Sequence, residues 1–292
     1  MKCEICTAAI ALGLPLTASA SLYSEDFNDG NAASRWTTTD NGGGHEVDYA
    51  FDYSTLGVAS APNGTGTIGA WFNPNTNGVG SVIGSPNGQS FSGDYAFHVD
   101  FLRQNDPDDG GTTEAFVAGV NQTTPTAPFD GAASDGVSYS LTTDAFGGGG
   151  QSSIGRFTDD GETRVYDNYG FDDPDDGQGL LGDLDPSLVP NLTSSGFDEG
   201  VWNTLQIVQY EGSINLVLNG ALLETFANTG GDDAGNILIG AFDQFGSVGD
   251  HFLVYDNVVV SDEIPAIVIP EPASLAVFAL GGLAALGRRR RG

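Results

Sequence analysis

The chain has 292 residues and a formal net charge of -30, with 39 acidic residues against nine lysines and arginines. Residues 21–265 hold all of the acidic residues except Glu4 and Glu271, but only four of the nine basic ones. Such a field repels nucleic acid and anionic membrane surfaces, which excludes both as partners and makes divalent cations the natural counter-charge.

The N-terminal segment has the pattern of an export signal. Lys2 is followed by a short apolar run, and residues 18–20 read Ala18, Ser19, Ala20. A basic start, an apolar centre and an Ala-x-Ala ending predict a signal peptide over residues 1–20, exported by the Sec machinery and cut by signal peptidase before Ser21. The alternative is a buried first helix, which the short run and its ending disfavour.

Residues 21–264 predict one all-β domain. Aspartate far outnumbers glutamate and glycine is abundant, which favours turns and loops, and outside the termini no long segment keeps a helical apolar period. Both cysteines, Cys3 and Cys6, precede Ser21, so the domain has no thiol. The predicted strands are Gly66–Phe72, Asp94–Arg103, Glu114–Val120, Gly136–Thr142, Thr163–Tyr166, Trp202–Tyr210, Ser213–Asn219, Ala221–Phe226, Asn236–Phe242 and His251–Val260.

The C-terminal half of the domain carries the most specific pattern. Two alternating apolar runs flank Asn219-Gly220, a dipeptide typical of a tight hairpin turn, and a last strand runs over Phe252–Val260. With the opening residues Tyr23–Gly30, this pattern resembles a concanavalin A-like jelly roll of the laminin-G type. The resemblance implies a jelly-roll β-sandwich in which the first and last strands pair at the sheet edge.

The resemblance also implies a structural calcium ion held by an acidic residue near the first strand and an aspartate in the last. The matching positions are Glu25 and Asp256, and hard carboxylate oxygens suit that ion. Alternatively, Asp256 caps a turn or faces water. Two Asp-rich loops, 105–110 and 172–176, lack the ligand spacing of an EF-hand, so we interpret them as solvated loops.

Catalysis has little support in the sequence. Retaining glucanases of the same superfold carry two glutamates on one strand, but the nearest run here, residues 46–52, has Ala50 and Phe51 where the second glutamate would stand. Trp36 and Trp71 are candidates for stacking on sugar rings, with a place in the core as the alternative for each. Trp202 matches a core position by resemblance. We therefore expect a protein that is not an enzyme.

The C-terminal segment, residues 265–292, has three ordered features. A Pro-Glu-Pro triplet at Pro270, Glu271 and Pro272 precedes an apolar stretch, and a basic cluster ends the chain at Arg288, Arg289, Arg290 and Arg291. This arrangement resembles the PEP-CTERM sorting signal of Gram-negative bacteria. The apolar stretch, 273–287, is somewhat short for a membrane-spanning helix, and the arginines predict that its end stays in the cytoplasm.

The C-terminal segment predicts how the protein is sorted and where it is delivered. By resemblance, the partner is an exosortase, a membrane peptidase that reads Pro270, Glu271 and Pro272 as recognition residues of its substrate. The protein would then be anchored transiently in the inner membrane and delivered to the cell surface or extracellular matrix. The alternative is a plain tail anchor.

Three functions are compatible with this organisation. The first is non-catalytic binding of extracellular polysaccharide by a sorted surface or matrix protein, with calcium as a possible structural cofactor. The second is a glycoside hydrolase or lyase of the same superfold, which requires two carboxylates facing across a cleft. The third is a purely structural protein of the envelope or biofilm matrix.

Overall fold

The computed structural model describes residues 21–40, 44–74, 80–104, 114–126, 135–143, 152–167, 192–193, 196–197, 200–229, 233–243 and 252–269. Regular structure in these ranges is β-strand apart from two short 3-10 helices, Ala32–Ser34 and Tyr53–Leu56. None of the helices in this part of the chain is long and apolar enough to cross a bilayer. The predicted signal peptide, the apolar stretch 273–287 and the Asp-rich loops lie outside the described residues.

The strands follow one another along most of the described chain. In chain order they are β1 (Ser21–Glu25), β2 (Trp36–Asp40), β3 (Glu46–Asp52), β4 (Ile68–Asn73), β5 (Gly80–Pro86), β6 (Phe91–Ser92), β7 (Tyr95–Gln104), β8 (Glu114–Gln122), β9 (Val137–Thr143), β10 (Ser152–Thr158), β11 (Gly161–Asp167), β12 (Leu192–Thr193), β13 (Gly196–Phe197), β14 (Trp202–Tyr210), β15 (Ser213–Leu218), β16 (Ala221–Ala227), β17 (Ala234–Asp243) and β18 (Phe252–Ser261).

Two antiparallel sheets pack face to face in the described part of the chain. The first sheet has the order β16-β15-β14-β7-β18-β4-β3, and β1 also pairs with β18. The second has the order β11-β10-β9-β8-β17-β5-β2, and β6 also pairs with β17. The strands β12 and β13 pair with each other. The predicted all-β sandwich is confirmed.

Alternation along the strands builds the core. In β7, Tyr95, Phe97, Val99 and Phe101 all point between the sheets, where they are at most 1% exposed. The intervening side chains of β7 point to the opposite face of the first sheet, which we call the outer face. Because successive side chains of a strand alternate, this one strand supplies both the core and the outer face.

The predicted hairpin forms at Asn219-Gly220. These two residues have φ values of 49° and 83° and join β15 to β16. Positive φ at both central positions is the requirement of a type I′ turn, which asparagine and glycine meet at low cost.

All ten strands predicted from the sequence are present, with ends that move by a few residues. The pairing of the first and last strands is also found, as β1 against β18. Its position differs from the expectation, because β18 lies inside the sheet. On one side it pairs with β7, and on the other it pairs first with β4 and then with β1.

Tyr255 of β18 connects the two sheets through the core. Its hydroxyl accepts from Val117 N–H of β8 over 3.3 Å and donates to Gly240 O of β17. Its ring packs edge-on against Phe72 and Phe116, at 5.5 and 5.4 Å between centroids. Burial raises the pKa of this hydroxyl far above its ordinary value, so it stays protonated.

We predict that Tyr255→Phe lowers the free energy of unfolding by about 1–2 kcal/mol, because it removes a buried hydrogen-bonding group and leaves its backbone partners less satisfied. The measurement is chemical denaturation of the exported protein. Tyr210→Phe, at the partly exposed end of β14, is the control and should change stability by less than about 0.5 kcal/mol. Equal stability of the wild type and Tyr255→Phe would contradict the role given to this hydroxyl.

Candidate functional site

One extra residue in β18 determines which side chains reach the outer face. Asp256 pairs with Asp100 of β7, but the next pair joins Val259 to His98, so β18 has one residue more than β7 in this interval. Asn257, in the middle of the irregularity, has a φ of 51°. This is a β-bulge, a device that re-aims side chains and is over-represented beside functional sites.

The bulge changes the alternation of β18 without interrupting the core. Leu253 and Tyr255 before it, and Val258 and Val260 after it, all belong to the core between the sheets. The inward positions thus switch from odd to even numbers at the bulge. Two adjacent residues, Asp256 and Asn257, consequently make contacts on the outer side.

The outer face consists of cross-strand rows contributed by β14, β7, β18 and, at one end, β4. An apolar row comprises Trp202, Leu102, Val254 and Trp71. The next row is polar and comprises Thr204, Asp100 and Asp256, and the third comprises Gln206, His98 and Val259. Residues 53–66 contact the first two rows, while the third lies in a cleft.

Asp100 in the polar row is fully buried and is surrounded by donors. It accepts hydrogen bonds from Asn63 N–H at 3.1 Å, from Asn63 Nδ2 at 2.9 Å, from Thr204 Oγ1 at 2.7 Å and from Asn257 Nδ2 at 2.9 Å. His98 Nε2 lies 3.5 Å from Asp100 Oδ1. Burial alone would raise the pKa of Asp100, but these donors outweigh it and hold the pKa below its ordinary value.

The neighbouring Asp256, also fully buried, belongs to a short chain of hydrogen bonds. The Tyr53 hydroxyl lies 2.8 Å from Asp256 Oδ2 and 2.8 Å from Gly66 O. On the other oxygen, Asp256 Oδ1 accepts from Asn257 N–H over 2.7 Å. A tyrosine hydroxyl has one proton, so it cannot donate to both the carboxylate and the Gly66 carbonyl.

Protonation of Asp256 resolves this shortage of donors. A neutral Asp256 donates to the Tyr53 oxygen, and the Tyr53 proton is then available to Gly66 O. Burial is the largest cause that raises the pKa of Asp256 to about 7, and the negative charges of Asp100 and Asp26 add to it, against the hydrogen bonds from Tyr53 and Asn257 N–H. One protonated and one ionised carboxyl side by side is the arrangement expected of two acids sharing a buried site.

Glycines let residues 61–66 lie close against the bulge. A Cβ atom on Gly64 would come within 2.5 Å of Asn257 Oδ1, and one on Gly66 within 1.7 Å of Asn28 Oδ1. Close approach of backbone to neighbouring side chains is a requirement that glycine meets. The loop therefore covers the two buried aspartates and forms one wall of the cleft.

The cleft has a volume of about 720 Å³. Its floor is the third row of the outer face together with the bulge. The described residues that line it are Ser24, Glu25, Asp26, Asp29, Arg35, Asn63, Gly64, Thr65, Ala96, His98, Gln206, Asn257, Val259, Ser261, Glu263 and Pro265. Most of these carry hydrogen-bonding groups, and four of them are carboxylates.

Arg35 neutralises part of the negative charge that the four carboxylates bring to the cleft. Its Nε and one terminal nitrogen bind the two oxygens of Glu25 at 2.8 and 2.9 Å, and its terminal nitrogens bind Asp29 at 2.9 Å. Hydrogen bonds from Arg35 and Asn31 lower the pKa of Asp29 to about 2. The same carboxylates raise the pKa of Arg35 above its ordinary value. The cleft keeps a net negative charge, because Asp26 and Glu263 also line it.

Glu25 and Asp256 have separate sets of partners. Both oxygens of Glu25 are bound by Arg35, and Glu25 Oε1 also accepts from Phe27 N–H at 3.0 Å. Among the described residues, no group of three or more histidine, cysteine or acidic side chains is arranged to hold a metal ion. A calcium ion held jointly by Glu25 and Asp256 stays a prediction. The contacts of Glu25 do not favour it, because the Arg35 guanidinium already balances the charge of the Glu25 carboxylate.

The three tryptophans occupy two different environments, one in the core and two on the outer face. Trp36 is 4% exposed and lies between the sheets, 5.9 Å from Tyr49, so its ring is not available to a sugar. Trp71 is partly buried in the apolar row of the outer face, 5.6 Å from Phe252. Trp202 lies in the same row, so the core position implied by the resemblance is wrong, and its indole Nε1 donates to Ala59 O of the covering loop at 2.9 Å.

The remaining predicted residues are mostly outside the described chain. These are Ala18 and Ala20 of the signal, the triplet Pro270, Glu271 and Pro272, and the four terminal arginines, whereas Ser21 begins β1.

Sequence reasoning missed several residues of the cleft. His98 and Gln206 carried a usable signal, because each is a polar side chain between apolar ones in a strand with a buried inner face. Arg35 and Asn63 lie outside the strands, and their place at the cleft follows from tertiary packing.

The fold and the tail together define an exported β-sandwich protein with a C-terminal sorting signal. That signal is a PEP-CTERM protein-sorting motif, matched over residues 268–291, and it implies processing by an exosortase, a membrane protein. No curated protein matches the chain.

Solved structures with a similar fold are distant. Carbohydrate binding module CBM66 from Bacillus subtilis is 12% identical, covering 77% of this chain and 94% of that one, with a TM-score of 0.40. The metal-free carbohydrate recognition domain of Emp46p is 12% identical, covering 80% and 90%, with a TM-score of 0.46. The β-glucanase of Bacillus licheniformis is 15% identical, covering 85% and 100%, with a TM-score of 0.41. None of these likenesses assigns a ligand or an activity to this chain.

The raised pKa of Asp256 gives stability a defined pH dependence. Between the ordinary pKa of 3.8 and the folded value of about 7, the folded state keeps a proton that the unfolded state has lost. The contribution of this group to stability therefore falls as the pH rises through that window. Asp256→Asn keeps a donor toward Tyr53 and an acceptor toward Asn257 N–H, which mimics the neutral acid at every pH.

We predict that the stability of Asp256→Asn relative to the wild type increases by about 1–3 kcal/mol between pH 5 and pH 8, because the wild type loses the contribution of its neutral carboxyl over this range. Denaturant titrations at the two pH values measure this difference. The matched control, Asp100→Asn, should be less stable than the wild type at both, because an amide nitrogen cannot accept from the donors around Asp100. A wild type whose stability relative to Asp256→Asn stays constant or rises from pH 5 to pH 8 would contradict a raised pKa of Asp256.

Proposed function

We propose that this chain is a surface or matrix protein, sorted by an exosortase, whose sandwich binds extracellular polysaccharide in the cleft without cleaving it. The observation that carries the proposal is the cleft itself, a cavity of about 720 Å³ lined mainly by hydrogen-bonding groups. An exported protein meets polysaccharide outside the cell, which makes it the class of ligand to test first.

The floor of the cleft suits hydroxyl-rich ligands. Gln206 and Asn257 each offer an amide with donor and acceptor atoms, and His98 offers an imidazole. Gln206 Nε2 lies 3.4 Å from His98 Nδ1, and the Asn257 amide is fixed by its bond to Asp100. Convergent polar groups held in place by a second set of contacts are typical of sites that recognise small polar ligands.

The charge of the cleft narrows the class of glycan. Glu25, Asp26, Asp29 and Glu263 face it, and Arg35 is occupied by two of them. A ligand carrying uronate or sulfate groups would enter a field of its own sign. We therefore assign the cleft to neutral polysaccharide.

The alternative functions have less support from the described residues. Hydrolysis by two carboxylates requires a pair facing across the cleft. Asp100 and Asp256 are adjacent, but both are fully buried under the loop 61–66, while Glu25 and Asp29 are bound by the same guanidinium. Asp26 and Glu263 are thus the pair of cleft carboxylates that a hydrolase would have to use. A purely structural protein would have no need of a polar cleft of this size.

We predict that the exported protein is retained on a neutral polysaccharide from its host, or on a neutral glucan, and that the double substitution His98→Ala, Gln206→Ala weakens retention by about tenfold or more. Affinity electrophoresis or pull-down on insoluble polysaccharide provides the measurement. The control substitutes Asp159 and Asp160 by alanine in the β10–β11 turn, which is exposed and belongs to the second sheet.

Two results would contradict the proposal. One is that no neutral polysaccharide is retained by the folded protein. The other is that the cleft variant and the control bind equally well. Release of soluble sugar during the assay would favour the hydrolase.

A further inference from the structure

After β18 ends, the chain turns back across the outer face of the first sheet, and we call residues 263–269 the strap. Its side chains Ile264 and Val268 pack against an apolar patch beside the cleft. That patch consists of Ala96, Val208 and Val217, with Tyr210 and Leu222 at its margin. The Val268 N–H donates to Pro265 O at 2.9 Å, which closes a turn in the strap. The strap is therefore part of the folded sandwich.

Near its C-terminal end the strap is anchored by Val268, and the residues on both sides of Val268 are exposed. Val268 is 8% exposed, whereas Ile267 and Ile269 are 50% and 42% exposed. The sorting motif matches residues 268–291, so the anchored valine is the first residue of the motif. Pro270 follows two residues later, a distance that an extended backbone covers in no more than about 7 Å.

This position conflicts with what a peptidase requires. Extended peptides are recognised through backbone hydrogen bonds and side-chain pockets along several residues, so those residues must be free of other contacts. While Val268 is held in the apolar patch, this residue, two positions before the Pro-Glu-Pro triplet, is not free to make such contacts.

We infer that the docked strap withholds the sorting motif from its membrane peptidase, and that processing proceeds from the fraction of molecules in which the strap has left the sheet. This inference rests on the packing of the strap and on the matched motif, and glycan binding plays no part in it. Local opening of a peripheral segment is a normal property of folded proteins, and cleavage follows the population of the open form when opening and closing are fast. The docking energy of the strap therefore sets the processing rate.

Substitutions outside the matched motif test this inference. Ile264→Ala removes strap contacts, and Val217→Ala removes contacts from the patch that receives Val268. The control is Val117→Ala, a buried valine in the apolar cluster Ile83, Ala115, Val117, Leu238 and Phe242, which the strap does not join. Pulse labelling of the full-length chain in cells that contain an exosortase, followed by mass analysis, gives the rate at which the tail is lost.

We predict that Ile264→Ala and Val217→Ala each speed loss of the tail by about tenfold, as expected for partial loss of one buried aliphatic contact, and that Val117→Ala leaves the rate unchanged. Amide hydrogen exchange provides the second readout. The exchange of residues 266–269 should rise by a similar factor in the first two variants, while exchange in β7 and β14 stays as in the wild type.

Two outcomes would overturn the inference. The first is an unchanged or slower processing rate in variants whose strap exchanges faster. The second is acceleration of the same size in Val117→Ala, which would show that general loss of stability drives processing. Retention on polysaccharide is measured separately, so a failed glycan assay would leave this result standing.

Discussion

The architecture depends on one extra residue in the last strand. The bulge at Asp256 and Asn257 lets β18 keep Tyr255 and Val258 in the core while it presents two consecutive polar side chains on the outer side. It lies where β18 exchanges one neighbour, β4, for another, β1. The loop that carries Asn63 packs against the outer side of the bulge. The buried carboxyl groups of Asp100 and Asp256 hold this loop through hydrogen bonds. A constraint on backbone register thus creates both the floor and one wall of the cleft.

The outer face of the first sheet has three parts, of which two are covered by other segments of the chain and the third forms the cleft. At one end an apolar row is covered by residues 53–59, and at the other the patch around Val208 is covered by the strap. Between these two covers the row of Gln206, His98 and Val259 lines the cleft, whose walls come from the loop on one side and from the strap residues Glu263 and Pro265 on the other. The segment that leads to the sorting motif is therefore also a wall of the candidate binding site. The start of the sorting motif and the candidate binding site are therefore adjacent on a single surface.

Features of the fold that depend on neighbouring residues along the chain could be predicted from the sequence. Strands with regular alternation, such as Trp202–Tyr210, and the Asn219-Gly220 turn follow from side-chain period and turn chemistry. Strands that were not predicted include β2, β3, β5 and β10, and in β5 and β10 glycine and serine interrupt the alternation of side chains. The bulge leaves little trace in the sequence, since Asp-Asn in a strand reads as two exposed residues. The partners of Glu25 and Asp256 depend on tertiary packing, so nothing in the sequence indicates the arginine beside Glu25, and the calcium ion implied by the resemblance stays a prediction.

Deletion of Asn257 tests the central claim most directly. Without this residue, strict alternation along β18 keeps Tyr255 and Val258 on the core side, so the sandwich is retained while the bulge is lost. The account predicts a folded protein with native far-ultraviolet circular dichroism and cooperative unfolding, whose retention on neutral polysaccharide falls to that of an unrelated protein. A deletion variant that binds polysaccharide as the wild type does, or that fails to fold, would contradict the account.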